Sequence, residues 1–240
     1  MIVLTQLDNI LRCLTILVPA LNEEAKLETM VNSLLPVARS SLNQFEIILF
    51  DDGSTDKTGA IADHLATTNP EIRVIHHNPR QGLGAIFYEG LTESQFDHLT
   101  VIPGDNAYNA EGLRPAFQAI GTADLIISYR ANSAQTRAVH RVIISSLYAR
   151  IMSLLFGLKL RDIHSVVIYP VARAKQLKLQ LTNYTYQLEI LVKLIRNQPT
   201  IMQVPVLLNP DTPQNSRSLN WKTFGEVFKL LSHLLFDRPS

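Results

Sequence analysis

Short apolar runs rich in β-branched residues alternate with longer segments of helical period through the first half of this 240-residue chain. Such alternation predicts parallel strands joined by helical crossovers, with helices on both faces of the sheet. We therefore expect an α/β fold with a mostly parallel central sheet. The predicted strands are 14–18, 45–50, 73–76, 99–102 and 125–129, and the predicted helices between them are 24–42, 57–66, 84–94 and 110–120.

The second half has a less regular pattern. It predicts a long helix over 139–156, a strand at 166–169, a helix at 184–196, a strand at 201–208, a polar loop over 209–218 and an amphipathic helix from 219 to 240. There is no internal repeat, low-complexity tract or long linker, so residues 1–240 are expected to form one domain. In α/β sheets, ligands bind at the carboxyl ends of the strands, so the loops there are the candidate site.

Charge and cysteine content narrow the function classes. The chain has 22 Lys and Arg against 21 Asp and Glu, a net charge of +1, which argues against a general nucleic-acid binder. A single cysteine, Cys13, cannot form an intramolecular disulfide, and the first residues lack the pattern of a signal peptide. No long uninterrupted apolar run occurs, so we expect a cytoplasmic protein without a membrane span.

Two adjacent carboxylates, Asp51 and Asp52, follow the second predicted strand in the sequence DDGSTDKT. An Asx turn with Ser54 or Thr55 capping the next helix would account for most of this segment. It would not explain two acids side by side at the end of a buried strand, where they repel each other. A functional site is therefore an equally good interpretation.

The loops after the first and third strands carry weaker signals. Pro19 is expected to end the first strand, and a helix is expected to begin at Asn22 or Glu23. After the third strand, a basic, glycine-bearing turn could let the backbone approach a phosphate. It is not a dinucleotide fingerprint, because Phe87 stands where the third glycine belongs. The histidines, including the pair at 76–77, are interpreted as structural or surface residues.

Asp105 lies in the loop PGDN after the fourth strand. A carboxylate at this edge suits Mg²⁺, which takes one or two protein carboxylates and completes its shell with phosphate oxygens and water. An ordinary Gly-Asp-Asn turn would have the same composition.

The segment from residue 125 to residue 161 contains no Asp or Glu. It contains five arginines and one lysine. Arg137, Arg141 and Ser145 fall on one face of the predicted helix, beside a broad apolar surface. The pattern fits a site for an anion or a membrane surface. It also fits a core helix whose arginines reach into water.

Seven segments in this order resemble glycosyltransferase family 2, and within it the polyprenyl-phosphate sugar synthases. They are VPALNEE, DDGSTDKT, NPRQGLGAIFYEGL, PGDN, SYR, RDIHS and YQLE, spanning about residues 14–218. The resemblance implies the GT-A fold, a nucleotide-diphosphate sugar linked to GDP or UDP, Mg²⁺ or Mn²⁺ as cofactor, and transfer with inversion. It further implies a nucleotide-binding half at 14–105 and an acceptor-side half at 106–218.

The resemblance also implies roles for single residues. The nucleotide-sugar positions would be Pro19, Ala20, Asn22, Glu23, Asp51, Asp52, Asn78, Arg80, Gly82, Asp105 and Arg217, with Asp105 the metal ligand. The catalytic and acceptor positions would be Asp105, Arg130, Arg141, Ser145 and Asp162, with Ser165 and Glu189 matching further family positions. The arginines and Ser145 would hold the phosphate of the lipid acceptor.

Two departures from the family pattern bear on the metal. Pro103 replaces the first acid of the D-x-D motif and Ala107 replaces a common glutamine, so coordination would rest on Asp105, helped by Asn106 or Asn109. The leading hypothesis is hexose transfer to a polyprenyl phosphate at the cytoplasmic face of a membrane. The alternatives are a soluble enzyme with a hydroxyl acceptor, using Asp162 or Glu189 as base, and a non-catalytic nucleotide-sugar-binding relative.

Overall fold

The computed structural model describes residues 10–136, 142–143, 146–147, 150, 152, 154, 160–179 and 185–210. The strands are β1 Cys13–Ala20, β2 Gln44–Asp51, β3 Ile72–His76, β4 His98–Val101, β5 Leu125–Arg130, β6 Val167–Pro170 and β7 Ile201–Val206. The helices are α1 Leu27–Ser41, α2 Thr58–Thr68, α3 Leu83–Glu93, α4 Ala110–Gln118, α5 Ser133–Thr136, α6 Val171–Lys175 and α7 Tyr186–Arg196. Further residues with helical backbone lie at 142–143, 146–147, 150, 152 and 154.

The strands form one seven-stranded sheet in the order β3-β2-β1-β4-β6-β5-β7. β1 pairs in parallel with β2 and β4, β2 with β3, and β5 with β7, whereas β6 runs antiparallel to both β4 and β5. The expected mostly parallel sheet is confirmed. The predicted strand at 166–169 is confirmed as β6, shifted by one residue and reversed in direction.

Both faces of the sheet are covered, as expected. Consecutive residues of a strand point to opposite faces, so Ile16 and Val18 join the core under α1, α2 and α4, while Leu17 joins the core under α3, α6 and α7. β2 alternates in the same way, with Ile47 facing the first of these cores and Ile48 the second. Burial on both faces explains the nearly continuous apolar sequence of β1 and β2.

The local expectations around Pro19 and the first two helices need correction. Pro19 does not end β1, because its carbonyl accepts a hydrogen bond from the Gly104 backbone and Ala20 still pairs with Asp51. α1 begins at Leu27 rather than near residue 22. Ser54 and Thr55 do not cap α2. The N-cap residue is Lys57, whose side chain makes no capping hydrogen bond, and Asp56 Oδ1 accepts at 2.9 Å from the backbone N–H of Thr58, the first residue of the helix.

Candidate active site

Predicted site residues from several loops of the described part of the chain lie at one edge of the sheet. β1, β2, β4 and β5 run in the same direction, so their carboxyl ends lie along this edge. Because β6 runs the opposite way, the residues just before it, 162–166, arrive at the same edge. The fold therefore brings Asp52, Asp105, Arg130 and Asp162 to one side of the molecule.

The loops after β1 and β2 are hydrogen-bonded to each other. Asn22 Oδ1 accepts from the Thr55 backbone N–H at 2.9 Å, and the Asn22 N–H donates to Ser54 Oγ at 3.0 Å. The Glu23 N–H donates to Thr58 Oγ1 at 2.8 Å. Asn22 has φ 56°, in the left-handed region that asparagine tolerates. The Asn22 side chain therefore holds the two loops together, which fixes the ends of β1 and β2 relative to each other.

Asp51 faces α2. Its Oδ1 accepts from the Ser54 backbone N–H at 3.0 Å, and its Oδ2 lies 3.1 Å from Nδ1 of His76, whose Nε2 lies 3.0 Å from Asp63 of α2. The two carboxylates raise the pKa of His76 above its usual value. Asp51 thus ties β3 and α2 to the turn that follows β2.

Asp52 is 3% exposed and faces α3. Its Oδ1 lies 2.9 Å from Nδ1 of His77, whose Nε2 lies 2.8 Å from Glu89 Oε2 on α3. The two adjacent acids therefore do not share a site, because each is paired with its own histidine on its own side of the sheet. This pairing resolves the repulsion that the sequence left unexplained.

Asp52 also binds the loop after β3, where Asn78, Arg80 and Gly82 are located. It accepts from the backbone N–H groups of Gln81 at 2.8 Å and Gly82 at 3.0 Å, and from Arg80 Nε at 3.2 Å. Burial opposes the charged carboxylate, but these donors and His77 outweigh it and lower the pKa of Asp52. Gly82 has φ 86°, a conformation that glycine adopts readily. Asn78 and Arg80 are exposed on this loop.

The Asp105 loop is fixed from two sides. Asp105 Oδ1 accepts from the Ala107 backbone N–H at 3.1 Å, and the neighbouring Gly104 N–H donates to Pro19 of β1. Asn209, just after β7, donates from Nδ2 to the backbone carbonyl and to Oδ1 of Asn106, each at 3.2 Å. Asn106 has φ 57°, so the turn holds a left-handed residue directly after Asp105.

Arg130 and Asp162 form an ion pair with two hydrogen bonds. Arg130 Nε donates to Oδ2 at 2.6 Å and Nη2 to Oδ1 at 2.9 Å, and the two side chains are 10% and 13% exposed. Burial disfavours the charge on Asp162, but the guanidinium outweighs it, so the pKa of Asp162 lies below its usual value. A carboxylate held in this state is a weak proton acceptor.

Further polar residues surround this pair. Ser165 Oγ lies 2.7 Å from Ser128 Oγ, and the Ser165 carbonyl accepts from Gln187 Nε2 at 2.6 Å. Burial raises the pKa of Tyr108, which therefore stays neutral near Arg130 and Asp162. Glu189, the other candidate base, is 1% exposed in α7, where its Oε1 is bound to Lys193 Nζ at 2.7 Å.

Three predicted site residues, Arg141, Ser145 and Arg217, lie outside the described residues, as does the predicted helix from 219. In the described part of the 139–156 segment, large apolar side chains are exposed: Ile143 by 61%, Leu147 by 55% and Leu154 by 87%. Their spacing places them on one side of a helix, together with the exposed Arg150. Met152 is buried at 1% and lies on the opposite side.

Within the ranges described above, no helix is long and apolar enough to cross a membrane. The same residues contain no cluster of three or more His, Cys, Asp or Glu side chains placed to hold a metal ion. Among the described residues, Asp105 would therefore be the one carboxylate that holds a cation at this position. Asp105 Oδ2 has no hydrogen-bond partner among the described residues, which fits a single-carboxylate Mg²⁺ or Mn²⁺ site completed by phosphate oxygens.

Sequence reasoning missed His77, Glu89 and Asn209. The signal for His77 was present, because HH ends β3 as DD ends β2, and parallel pairing sets Asp51 opposite His76. Glu89 and Asn209 gave no such signal, since their partners depend on the three-dimensional packing of α3 and of the segment after β7.

Comparison with known proteins places this arrangement in a family. Residues 15–168 match the family model described as Glycosyl transferase family 2. The chain is 30% identical over 211 residues to an undecaprenyl-phosphate mannosyltransferase of Micrococcus luteus, covering 82% of this chain and 83% of that protein. It is 26% identical over 205 residues to a polyprenol monophosphomannose synthase of Mycolicibacterium smegmatis, covering 80% and 75%.

Solved structures show the same fold. Glucosyl-3-phosphoglycerate synthase of Mycobacterium tuberculosis with Mg²⁺ and uridine diphosphate superposes with a TM-score of 0.70 at 17% identity, covering 95% of this chain and 81% of that one. The same enzyme with uridine diphosphate alone gives 0.69 at 20% identity, covering 95% and 82%.

Proposed function

This chain belongs to glycosyltransferase family 2 and has the GT-A fold, and from that premise we propose that it transfers a hexose from a GDP- or UDP-linked sugar to a polyprenyl phosphate. An acceptor phosphate oxygen would attack the anomeric carbon as the bond to the nucleoside diphosphate breaks. The electron pair of that bond would leave with the diphosphate, and the anomeric configuration would invert. Residues 14–105 would bind the nucleotide, and residues 106–218 would bind the acceptor.

The observation that carries the choice of acceptor is the Arg130–Asp162 pair. A hydroxyl acceptor needs a general base, and Asp162 is a poor one because both its oxygens accept from Arg130 and its pKa is lowered. A phosphate acceptor is already anionic and needs only to be positioned. Arg130 Nη1 has no partner in the described part of the chain and would supply one such contact. The names of the two relatives support the same acceptor class.

The donor side rests on three loops. The loops around Asn22 and Asp52 would border the nucleotide, and Asp105 would hold Mg²⁺ or Mn²⁺. The cation would neutralise charge on the departing diphosphate. The protein would contribute a fixed Asp105 loop, so that little reorganisation is needed when the donor binds.

The exposed apolar residues Ile143, Leu147 and Leu154 would bring the acceptor side to the cytoplasmic face of a membrane. Arg150, on the same side of the helix, would meet anionic head groups there. This contact is peripheral, and it would place the phosphate of a membrane-embedded lipid within reach of Arg130.

The test is a transfer assay with the purified chain in detergent and Mn²⁺. GDP-mannose and UDP-glucose serve as donors, each with undecaprenyl phosphate, undecaprenol or a soluble alkyl glucoside as acceptor. We expect product with undecaprenyl phosphate from one donor and none with undecaprenol. Product with the alkyl glucoside alone would favour the hydroxyl-acceptor alternative. Nucleotide binding in calorimetry without product from any pair of donor and acceptor would favour the non-catalytic alternative, which Pro103 and Ala107 motivate.

A further inference from the structure

His76 is the last residue of β3 and His77 follows it directly, and each contacts one of the two aspartates at the end of β2. Asp51 and His76 are paired in the β2–β3 register, so Asp52 and His77 follow as the next pair. His76 is 45% exposed at its side chain, whereas His77 is 7% exposed and packs against the ring of Phe50 at 5.6 Å. The chain thus contains one exposed and one buried copy of the same Asp-His-carboxylate arrangement.

The contacts of His77 fix its charge state. Nδ1 lies 2.9 Å from Asp52 and Nε2 lies 2.8 Å from Glu89, so both ring nitrogens face carboxylate oxygens. A neutral imidazole donates from one nitrogen only, and its other nitrogen would turn a lone pair toward a carboxylate. Only the imidazolium donates to both acids. Arg80, on the other oxygen of Asp52, is the remaining charged group at this site.

Asp52 connects His77 to the donor site. The same carboxylate that receives His77 also receives the backbone N–H groups of Gln81 and Gly82. Four donor groups converge on its two oxygens, which matches the capacity of a carboxylate. Losing His77 would free one of these sites and remove the tie to α3, so the carboxylate and the loop over 80–82 could shift together.

We infer that His77, as an imidazolium between Asp52 and Glu89, is a positioning residue that holds the 80–82 loop in the conformation that binds the nucleotide of the donor. This inference rests on the proposed function, because it assigns a purpose to the same loop. It requires no contact between His77 and the donor.

Because His77 must be protonated to donate to both acids, nucleotide binding should depend on pH. Burial lowers the pKa of His77, but the hydrogen bonds to Asp52 and Glu89 outweigh it, so the pKa is raised above the usual value of about 6.5. The imidazolium bonds are therefore complete below pH ~6.5 and are lost as the pH rises through the folded pKa. Nucleotide binding should therefore weaken as the pH rises through the pKa of His77.

The experiment follows binding of UDP and GDP, with Mn²⁺, by calorimetry between pH 6 and 9 in wild type and three variants. His77→Gln should weaken binding about 10- to 100-fold at pH 6.5, because a charged hydrogen bond is lost. His77→Arg retains a cation at every pH, so it should restore part of the affinity and should not show the His77-dependent alkaline decline. His76→Gln is the matched control and should keep binding within about twofold of wild type. The nucleotide itself also ionises over this pH range. Dividing each dissociation constant by that of His77→Arg at the same pH removes this contribution.

A second measurement needs neither nucleotide nor a variant. Nitrogen-15 spectra of the histidine rings should show His77 in the imidazolium form at pH 6, with a pKa raised above 6.5. A neutral His77 ring at pH 6, or wild-type affinity and pH dependence in His77→Gln, would overturn the inference. Failure of both nucleotides to bind wild type at any pH would instead contradict the proposed function.

Discussion

Arg130 and Asp162 are 32 residues apart in the chain, yet they form a two-bond ion pair at the edge where β5 ends and β6 begins. Both side chains are nearly buried, so neither charge is well solvated without the other. The pair combines a structural role with the proposed contact to the acceptor, and substitutions can separate the two.

Breaking the pair from one side should destabilise the protein. Asp162→Asn leaves a buried guanidinium without a counter-charge, which costs about 3–5 kcal/mol in the free energy of unfolding. Replacing both residues, Arg130→Met with Asp162→Leu, should recover most of that loss because no unpaired charge remains. Urea unfolding measures both changes. The stable double variant should not transfer the sugar to undecaprenyl phosphate, because it lacks Arg130. Normal transfer by this variant would refute the role of Arg130.

Acid should weaken the folded state through Asp52 and Asp162. The pKa of each is lowered in the fold, so each stabilises the protein in full above about pH 3.9 and loses that contribution as the pH falls through the folded pKa. The free energy of unfolding should decline below pH ~4. The double variant at residues 130 and 162 should show a shallower decline, and an equally steep one would mean that Asp162 does not contribute.

Loss of the Asp105 carboxylate should affect the donor step alone. Asp105→Asn keeps the shape and the acceptor for the Ala107 N–H but removes the charge that would hold the cation. We expect turnover to fall about 10²- to 10³-fold, in line with the loss of one preorganised electrostatic group, and Mn²⁺-dependent nucleotide binding to weaken. Asp97→Asn, an exposed carboxylate just before the opposite end of β4, is the control. Equal effects of the two substitutions would reject a metal role for Asp105.

The exposed apolar residues of the 139–156 segment should control membrane binding. Replacing Ile143, Leu147 and Leu154 with serine removes apolar surface that would enter the head-group region. Binding to vesicles of phosphatidylglycerol and phosphatidylethanolamine, measured by co-sedimentation, should weaken at least about tenfold because each buried apolar side chain contributes 1.5–3 kcal/mol, roughly. Leu11→Ser, at a site 73% exposed near the opposite edge of the sheet, should leave it unchanged.

The sequence predicted the elements well and their contacts poorly. The alternation of apolar runs with helical segments identified all seven strands, because short runs of apolar and β-branched residues are visible within each segment. It could not predict that β6 is reversed, since a four-residue apolar strand has the same composition in either direction. Pro19 was expected to end β1 because proline lacks an N–H, but the outcome depended on its carbonyl and a partner, Gly104, far along the chain.

For the candidate site, too, the sequence predicted which residues belong to it but not what they contact. Asp52, Asp105, Arg130 and Asp162 were identifiable because each follows or precedes a predicted strand at the functional edge. What each side chain binds was not identifiable, because those partners are set by register and by packing between distant segments. Asn209, 103 residues from Asn106, is such a case.

The reversed direction of β6 has a consequence for how this enzyme could diversify. β5 leaves the sheet after Arg130 and β6 re-enters it at Val167, so both ends of the intervening segment lie on the functional edge. A segment with adjacent exit and entry points can be exchanged or lengthened without rethreading the sheet. Residues 131–161 could therefore be exchanged while the strand order stays the same, provided that Asp162 is kept to pair with Arg130. Under the proposed function, such exchanges would change the acceptor side and leave the loops around Asn22 and Asp52 as they are.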